Sequence, residues 1–372
     1  MSARLSFGAQ ACTFLVDIAV CQHKTHLNRD TVMDVVRPPY MPVLKWKQGE
    51  QLALTALDMA TRSSIVPLIE LRSYKTPFTA QQCLAPFSAC WNSLALFDCA
   101  DPKGVLSTWR LATFDGIVAA VVGNAAALIP VVNLDDPAFA DAKRIRQLSK
   151  CSQGIALRIR VANINSLSAG NLLAKASFSK TKWTVRNVVI DLCTTPSLDP
   201  QEVTFLVKEI SSLSAQGYNV HLVSGAYPDG YKGLVAGINI VPRSDWRFWA
   251  SLRSNHGLPG TVGYGDYTVV APTWLDRSGG GGVPTAYRYA DTNDWLIYKG
   301  TSSAGSESFS ISTLLVTHPA FRGAACCSTD RVIIQRAAAG QATKAVRPGG
   351  ATQHIAEGIA HHITLVTKEQ YP

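Results

Sequence analysis

From about residue 40 onward, short runs of aliphatic and β-branched residues recur along the chain, each bounded by turn-forming residues. Eight such runs stand out: 40–46 (YMPVLKW), 65–71 (IVPLIEL), 127–134 (ALIPVVNL), 154–161 (GIALRIRV), 186–193 (RNVVIDLC), 219–225 (NVHLVSG), 238–243 (INIVPR) and 265–271 (GDYTVVA). Continuous apolar runs of this length predict strands covered on both faces, as in a parallel sheet. Most are followed by sequence with helical spacing. The clearest helix is predicted over 199–218, where Asp199-Pro200 opens it, Val203, Phe205, Leu206, Ile210 and Leu213 supply the apolar positions, and Gly217 closes it. Strand and helix alternating eight times predict a (β/α)₈ TIM-like barrel. An open doubly wound sheet is the rival, but no G-x-G-x-x-G follows the first strand and no phosphate-binding G-x-x-x-x-G-K-[ST] occurs.

Two regions lie outside the alternation. Residues 1–37 form an N-terminal extension ending at Arg37-Pro38-Pro39, and Met33 offers a start that would make this segment upstream sequence. Residues 38–372 are expected to form one barrel domain with an insertion around 272–300 and a C-terminal helical region. Within the insertion, the Gly-rich stretch 277–283 (RSGGGGV) reads as a loop, and 286–289 with 295–298 read as a hairpin.

Composition refines this picture. Hydrophobic residues make up 47% and charged residues 16%, enough for a large core and too apolar for general disorder. The net charge of +9 favours an anionic partner, either a small molecule or nucleic acid, although Lys and Arg are spread without a polybasic run. The nine cysteines contain no C-x-x-C and no zinc-like spacing with histidine, which points to free thiols in a reducing cytoplasm. The adjacent Cys326-Cys327 pair is read as packed residues, with redox activity as the alternative. The apolar run 116–134 is interrupted by Asn124, Pro130 and Asn133, so it divides into a helix end and a buried strand and predicts no membrane span.

Barrel enzymes keep their chemistry at the C-terminal ends of the strands. The residues there are Lys45 and Lys47, Glu70 and Arg72, Asn133, Arg158 and Arg160, Asp191, Ser224, Arg243 and Asp266. Period-two geometry puts Lys45 with Lys47, and Arg158 with Arg160, on shared faces. Charges inside apolar strands need partners or water, so their recurrence predicts one polar cluster with Glu70 and Asp191 as the anions. In the functional reading, Lys45, Lys47, Arg158 and Arg160 bind a phosphate-bearing ligand, assisted by Arg72, Asn133, Arg243 and Asp266. Glu70, Asp191 and Lys47 are the candidate catalytic groups, and Mg²⁺ is the metal that such carboxylates would suit. The competing reading is a salt-bridge network that braces the barrel of a scaffold protein, whose C-terminal region contacts a protein partner. His354 and His361, seven apart, would share a helix face and so could line a site together, but a surface or C-terminal helix-end pair is the favoured reading. The aromatic segment around Trp246 and Trp249, with Tyr264, Trp274, Tyr287 and Tyr289 among arginines, offers either core packing or stacking on single-stranded nucleic acid.

The string YMPVLKWKQGE at 40–50, followed by a Leu/Ala-rich helix and VPLIELR, resembles the beta protein family of phages and bacteria. VVIDL at 188–192, FRGAACCSTDRVI and GIAHHITLV extend the resemblance to about residue 366. It implies a barrel-like α/β fold and a setting among phage, mobile-element or defence genes, with no assigned activity. It carries Lys45, Lys47, Gln48 and Glu50, with Glu70 and Arg72, as ligand-site candidates; residues 1–37 and the Cys-Cys pair depart from the family pattern.

Overall fold

The computed structural model describes residues 38–71, 78–101, 105–123, 126–133, 136–161, 183–231, 233–273, 285–303 and 305–371. The expectations for residues 1–37, Arg72, Trp274 and the loop 277–283 lie outside the described residues. Eight parallel strands close into a barrel: β1 (Met41–Leu44), β2 (Leu68–Glu70), β3 (Ala95–Asp98), β4 (Leu128–Val132), β5 (Ile155–Arg160), β6 (Val185–Thr194), β7 (Asn219–Gly225) and β9 (Val262–Asp266). β9 pairs with both β7 and β1, so the sheet has no free edge.

The strand count of eight matches the expectation, but two members differ. The run at 95–98 (ALFD) is a barrel strand too short to stand out by apolar length. The run at 238–243 is not in the barrel. It forms β8 (Gly237–Pro242), which pairs antiparallel with the hairpin strand β11 (Asp294–Lys299), itself paired with β10 (Ala286–Ala290). Alternating burial along β8, with Ile238 and Ile240 exposed, is the signature of a sheet covered on one face only. The last barrel strand also begins earlier than expected, at Val262.

Period-two geometry gives the barrel a dry floor. Met41, Val43, Leu68, Leu96, Ile129, Val131, Ala156, Val189 and Val223 fill its interior. Gly263 makes room for His221 lower down, since a Cβ there would stand 2.4 Å from the imidazole. The outward strand faces pack against helices in a second, larger core. The helix Pro200–Ala215 shows how local sequence sets this layer. Asp199 caps it in a reciprocal pair with Glu202, Pro200 occupies the first turn, and Val203, Leu206, Ile210 and Leu213 are buried.

The C-terminal helix Ala351–Leu365 is buried along most of its length, against the helix Gln48–Ala56 and β10. Gly358 permits this approach, because a Cβ there would lie 2.6 Å from the Arg288 carbonyl oxygen. No helix among the described residues is long and apolar enough to cross a membrane.

Candidate functional site

Above the apolar floor, the next inward positions are almost all polar: Lys45, Glu70, Asp98, Asn133, Arg158, Asp191 and Tyr267. Both aspartates also bond the chain two residues on, Asp98 at the end of β3 and Asp191 at an irregularity in β6. Asp98 Oδ1 accepts from the Ala100 amide and Asp191 Oδ1 from the Cys193 amide, each at 2.8 Å. Their second oxygens are thereby aimed inward.

Those oxygens meet Arg158. Its guanidinium donates to Asp191 Oδ2 at 2.7 and 3.0 Å and to Asp98 Oδ2 at 2.8 Å, and it lies 2.6 Å from Glu70 Oε1. The Tyr267 hydroxyl donates to Asp191 Oδ2 at 2.8 Å and accepts from Arg158 Nη2. Burial alone would weaken the Arg158 charge, but Tyr267, Asp191, Glu70 and Asp98 outweigh it and raise its pKa. Burial, reinforced by Asp191, holds the Tyr267 phenol well above its ordinary value, so it stays protonated. Arg158 is therefore a fixed cation saturated by the chain itself.

Arg160 is placed differently. Its Nη2 donates to Asp98 Oδ2 at 2.8 Å, its side chain is 21% exposed, and its Nη1 is buried without a hydrogen-bond partner among the described residues. Lys45 is buried at the same end and donates to the carbonyls of Ala271 and Thr273. Lys47 does not share its strand face as expected. β1 ends at Leu44, Trp46 turns the chain through a left-handed conformation (φ 47°), and Lys47 becomes the exposed N-cap of the helix Gln48–Ala56. The Lys47 side chain does not cap that helix, whose first amides lie at the mouth end of the barrel. Glu50 lies buried in its first turn, where burial pushes its pKa up despite Lys47 and Lys45. Asn133 closes β4, its carbonyl accepting from the Asp136 amide. Trp46, Cys193 and Thr268, all at barrel strand ends, are the non-glycine residues with positive φ among those described. Such conformations persist only where the surroundings impose them, and they concentrate at functional sites.

Two expected mouth residues are elsewhere. Arg243 follows β8 in the small antiparallel sheet, so it lies outside the barrel, where it donates to Gln370 Oε1 and the Asp291 carbonyl. Asp266 has the outward parity of β9. It accepts from Tyr40 at 2.6 Å and from Tyr264 at 2.8 Å, and lies 2.8 Å from His362 Nε2 and 3.7 Å from Arg243. The same pocket of charge holds Asp245, whose carboxylate oxygens meet no side-chain hydrogen-bond donor among the described residues; burial pushes its pKa up to about 7 against the pull of Arg243.

The Mg²⁺ expectation also changes. Glu70, Asp98 and Asp191 converge on a guanidinium, so a cation already stands where those oxygens point, and they do not fit a metal as well. The aromatic segment is core. Trp246 stacks on Trp249, both meet Tyr264, and Tyr264, Tyr287 and Tyr289 are buried, so these described rings form no exposed ladder for bases.

The sequence reading missed Asp98 and Tyr267. Asp98 fell with its strand, although the Asp that ends ALFD repeats the pattern of VVIDL. Tyr267 was hidden by the shifted register of the last strand.

No curated protein matches the chain. Among solved structures it is similar to the catalytic domain of a mannanase from Streptomyces sp. SirexAA-E, at 12% identity and a TM-score of 0.36, covering 66% of this chain and 77% of that one. The family described as Beta protein matches residues 40–368, nearly the whole of the barrel and its C-terminal elaboration, and the chain belongs to that family.

Proposed function

We propose that the barrel mouth binds a phosphate-bearing anion, such as a nucleotide or a nucleic-acid end, through Arg160 rather than through Arg158. The observation that carries this reading is the contrast between the two arginines on one strand face. Arg158 directs its donors to three carboxylates and a tyrosine, whereas Arg160 keeps a buried Nη1 without a partner among the described residues. A buried guanidinium nitrogen left unpaired is costly, and an incoming anion would relieve that cost. Lys45, Lys47 and the helix start at Gln48 supply further positive potential at the same end. The proposal places this activity in the cytoplasm and in the phage or defence setting that the family resemblance implies.

Titration of the full chain with inorganic pyrophosphate, followed by thermal shift, tests it. Arg160→Ala should weaken the response about tenfold or more, and Arg160→Lys should restore part of it. An unchanged response in Arg160→Ala would remove the reading.

A second reading has its own support. The saturated Arg158 network has the features of a brace that fixes the top layer of the barrel. In a purely scaffolding protein, pyrophosphate would give no shift with any variant, and Glu70 and Asp191 would matter for stability alone.

A further inference from the structure

Away from the mouth, the chain brings together residues far apart in sequence. Cys326 and Cys327 precede the helix Ser328–Ala339, Asp330 lies in its first turn, and His361 comes from the buried C-terminal helix. His361 Nδ1 lies 3.0 Å from Asp330 Oδ1, 3.9 Å from Cys327 Sγ and 4.0 Å from Cys326 Sγ. The four donor atoms all fall within 4.8 Å of one another.

We infer that Cys326, Cys327, Asp330 and His361 form a binding site for zinc or a similarly thiophilic divalent cation. A tetrahedral zinc, with bonds of about 2.3 Å to sulfur and about 2.0 Å to nitrogen and oxygen, spaces its ligands roughly 3.3–3.8 Å apart. The spacings to His361 differ from this by a few tenths of an ångström, within reach of side-chain rotation. Two sulfurs, one imidazole and one carboxylate form a donor set suited to zinc and poorly suited to Mg²⁺ or Ca²⁺.

The surroundings supply what a metal site needs beyond its ligands. His361 Nε2 lies 2.9 Å from the Ala290 carbonyl, a contact that leaves Nδ1 facing the other donors. Tyr289 stacks on the imidazole with ring centres 3.8 Å apart, and its hydroxyl donates to Asp330 Oδ2 at 3.2 Å. The backbone before the helix is pinned as well, the Cys326 amide donating to the Gly323 carbonyl and Lys368 Nζ to the Cys326 carbonyl. Both cysteines are half-buried and line a cavity of about 320 Å³ with Asp58, Ser328, Arg331 and Lys368, which gives a cation a route from solvent. Sequence spacing could not reveal this site, because its histidine lies more than thirty residues from the cysteines and the pair lacks the usual C-x-x-C interval. His354, seven residues before His361, is not part of the group and lies near Ser308 and the Pro348 carbonyl.

The test is metal analysis of the full chain purified under reducing conditions without chelator, then of the chelator-stripped chain titrated with Co²⁺. The inference expects about one zinc per chain, and on Co²⁺ addition both tetrahedral visible bands and a thiolate-to-cobalt charge-transfer band. The Cys326→Ser/Cys327→Ser double variant should hold at least tenfold less zinc and lose the charge-transfer band, with circular dichroism confirming its fold. If that variant does not fold, the Co²⁺ spectrum of the unaltered chain decides alone. Less than a tenth of an equivalent of zinc with no charge-transfer band would overturn the inference. So would full zinc retention by the folded double variant, or a Cys326–Cys327 disulfide that persists under reducing conditions.

Discussion

At the barrel mouth, three carboxylates converge on a cation that the chain itself supplies. In the C-terminal corner, two sulfurs, a carboxylate and an imidazole converge on one another. Both centres are held by buried elements, and both are polar islands in an apolar body. Their chemistry differs because of how the donors are delivered. Adjacent barrel strands place Arg158 in the same layer as Glu70, Asp98 and Asp191, so the charges neutralise one another during folding. Two helices and a turn deliver the C-terminal donors, where Asp330 pairs with His361 rather than with a guanidinium. Saturation of this kind marks a structural centre, and only donors left over from it, such as Arg160 Nη1, remain for ligands.

The comparison can be broken first at Arg158. Arg158→Met leaves three buried carboxylates without their cation and should destabilise the chain by about 3–5 kcal/mol in urea unfolding. Adding Glu70→Gln, Asp98→Asn and Asp191→Asn should recover much of the loss. A change below about 1 kcal/mol in the single variant would show that the mouth is not a saturated network.

Asp245 offers a sharper contrast, as a buried carboxylate without a side-chain hydrogen-bond donor among the described residues. Its folded pKa of about 7 stands above the unfolded value near 3.9. The folded state therefore binds the proton more tightly, and this group's contribution is full below about pH 4 and is lost as pH rises toward 7. Asp245→Asn should be more stable than the parent at pH 8, on the order of 3 kcal/mol, and the gap should close by pH 4. A gap that is constant with pH would contradict the assignment.

Chelation should separate the two centres. Stripping zinc from the C-terminal corner should lower thermal stability by on the order of 2–3 kcal/mol at modest metal excess, reversibly on readdition. The same treatment should leave pyrophosphate binding at the mouth within about twofold. Loss of both together would mean that the two centres are coupled.

Much of the fold was legible because parallel strands buried on both faces leave continuous apolar runs, as at 65–71 and 186–193. ALFD escaped because four residues carry too little signal, and INIVPR imitated a barrel strand although alternate side chains face outward. The mouth was legible where parity and strand ends were right, at Lys45, Glu70, Arg158, Arg160 and Asp191. It was misread at Arg243 and Asp266, where one strand belonged to another sheet and the other begins three residues earlier than its apolar run suggests. Lys47 was displaced by the left-handed turn at Trp46, a backbone event that no apolar pattern records. The Cys326–His361 grouping depends on helix packing over long sequence separation, and only the fold brings it together.

The most direct test of the central claim is calorimetric titration of inorganic pyrophosphate into the unaltered chain and into Arg160→Ala. The account predicts measurable binding by the unaltered chain and a Kd weakened about tenfold or more in Arg160→Ala, with urea stability changed by less than about 1 kcal/mol. Equal affinity in the two proteins, or no binding by either, would contradict it.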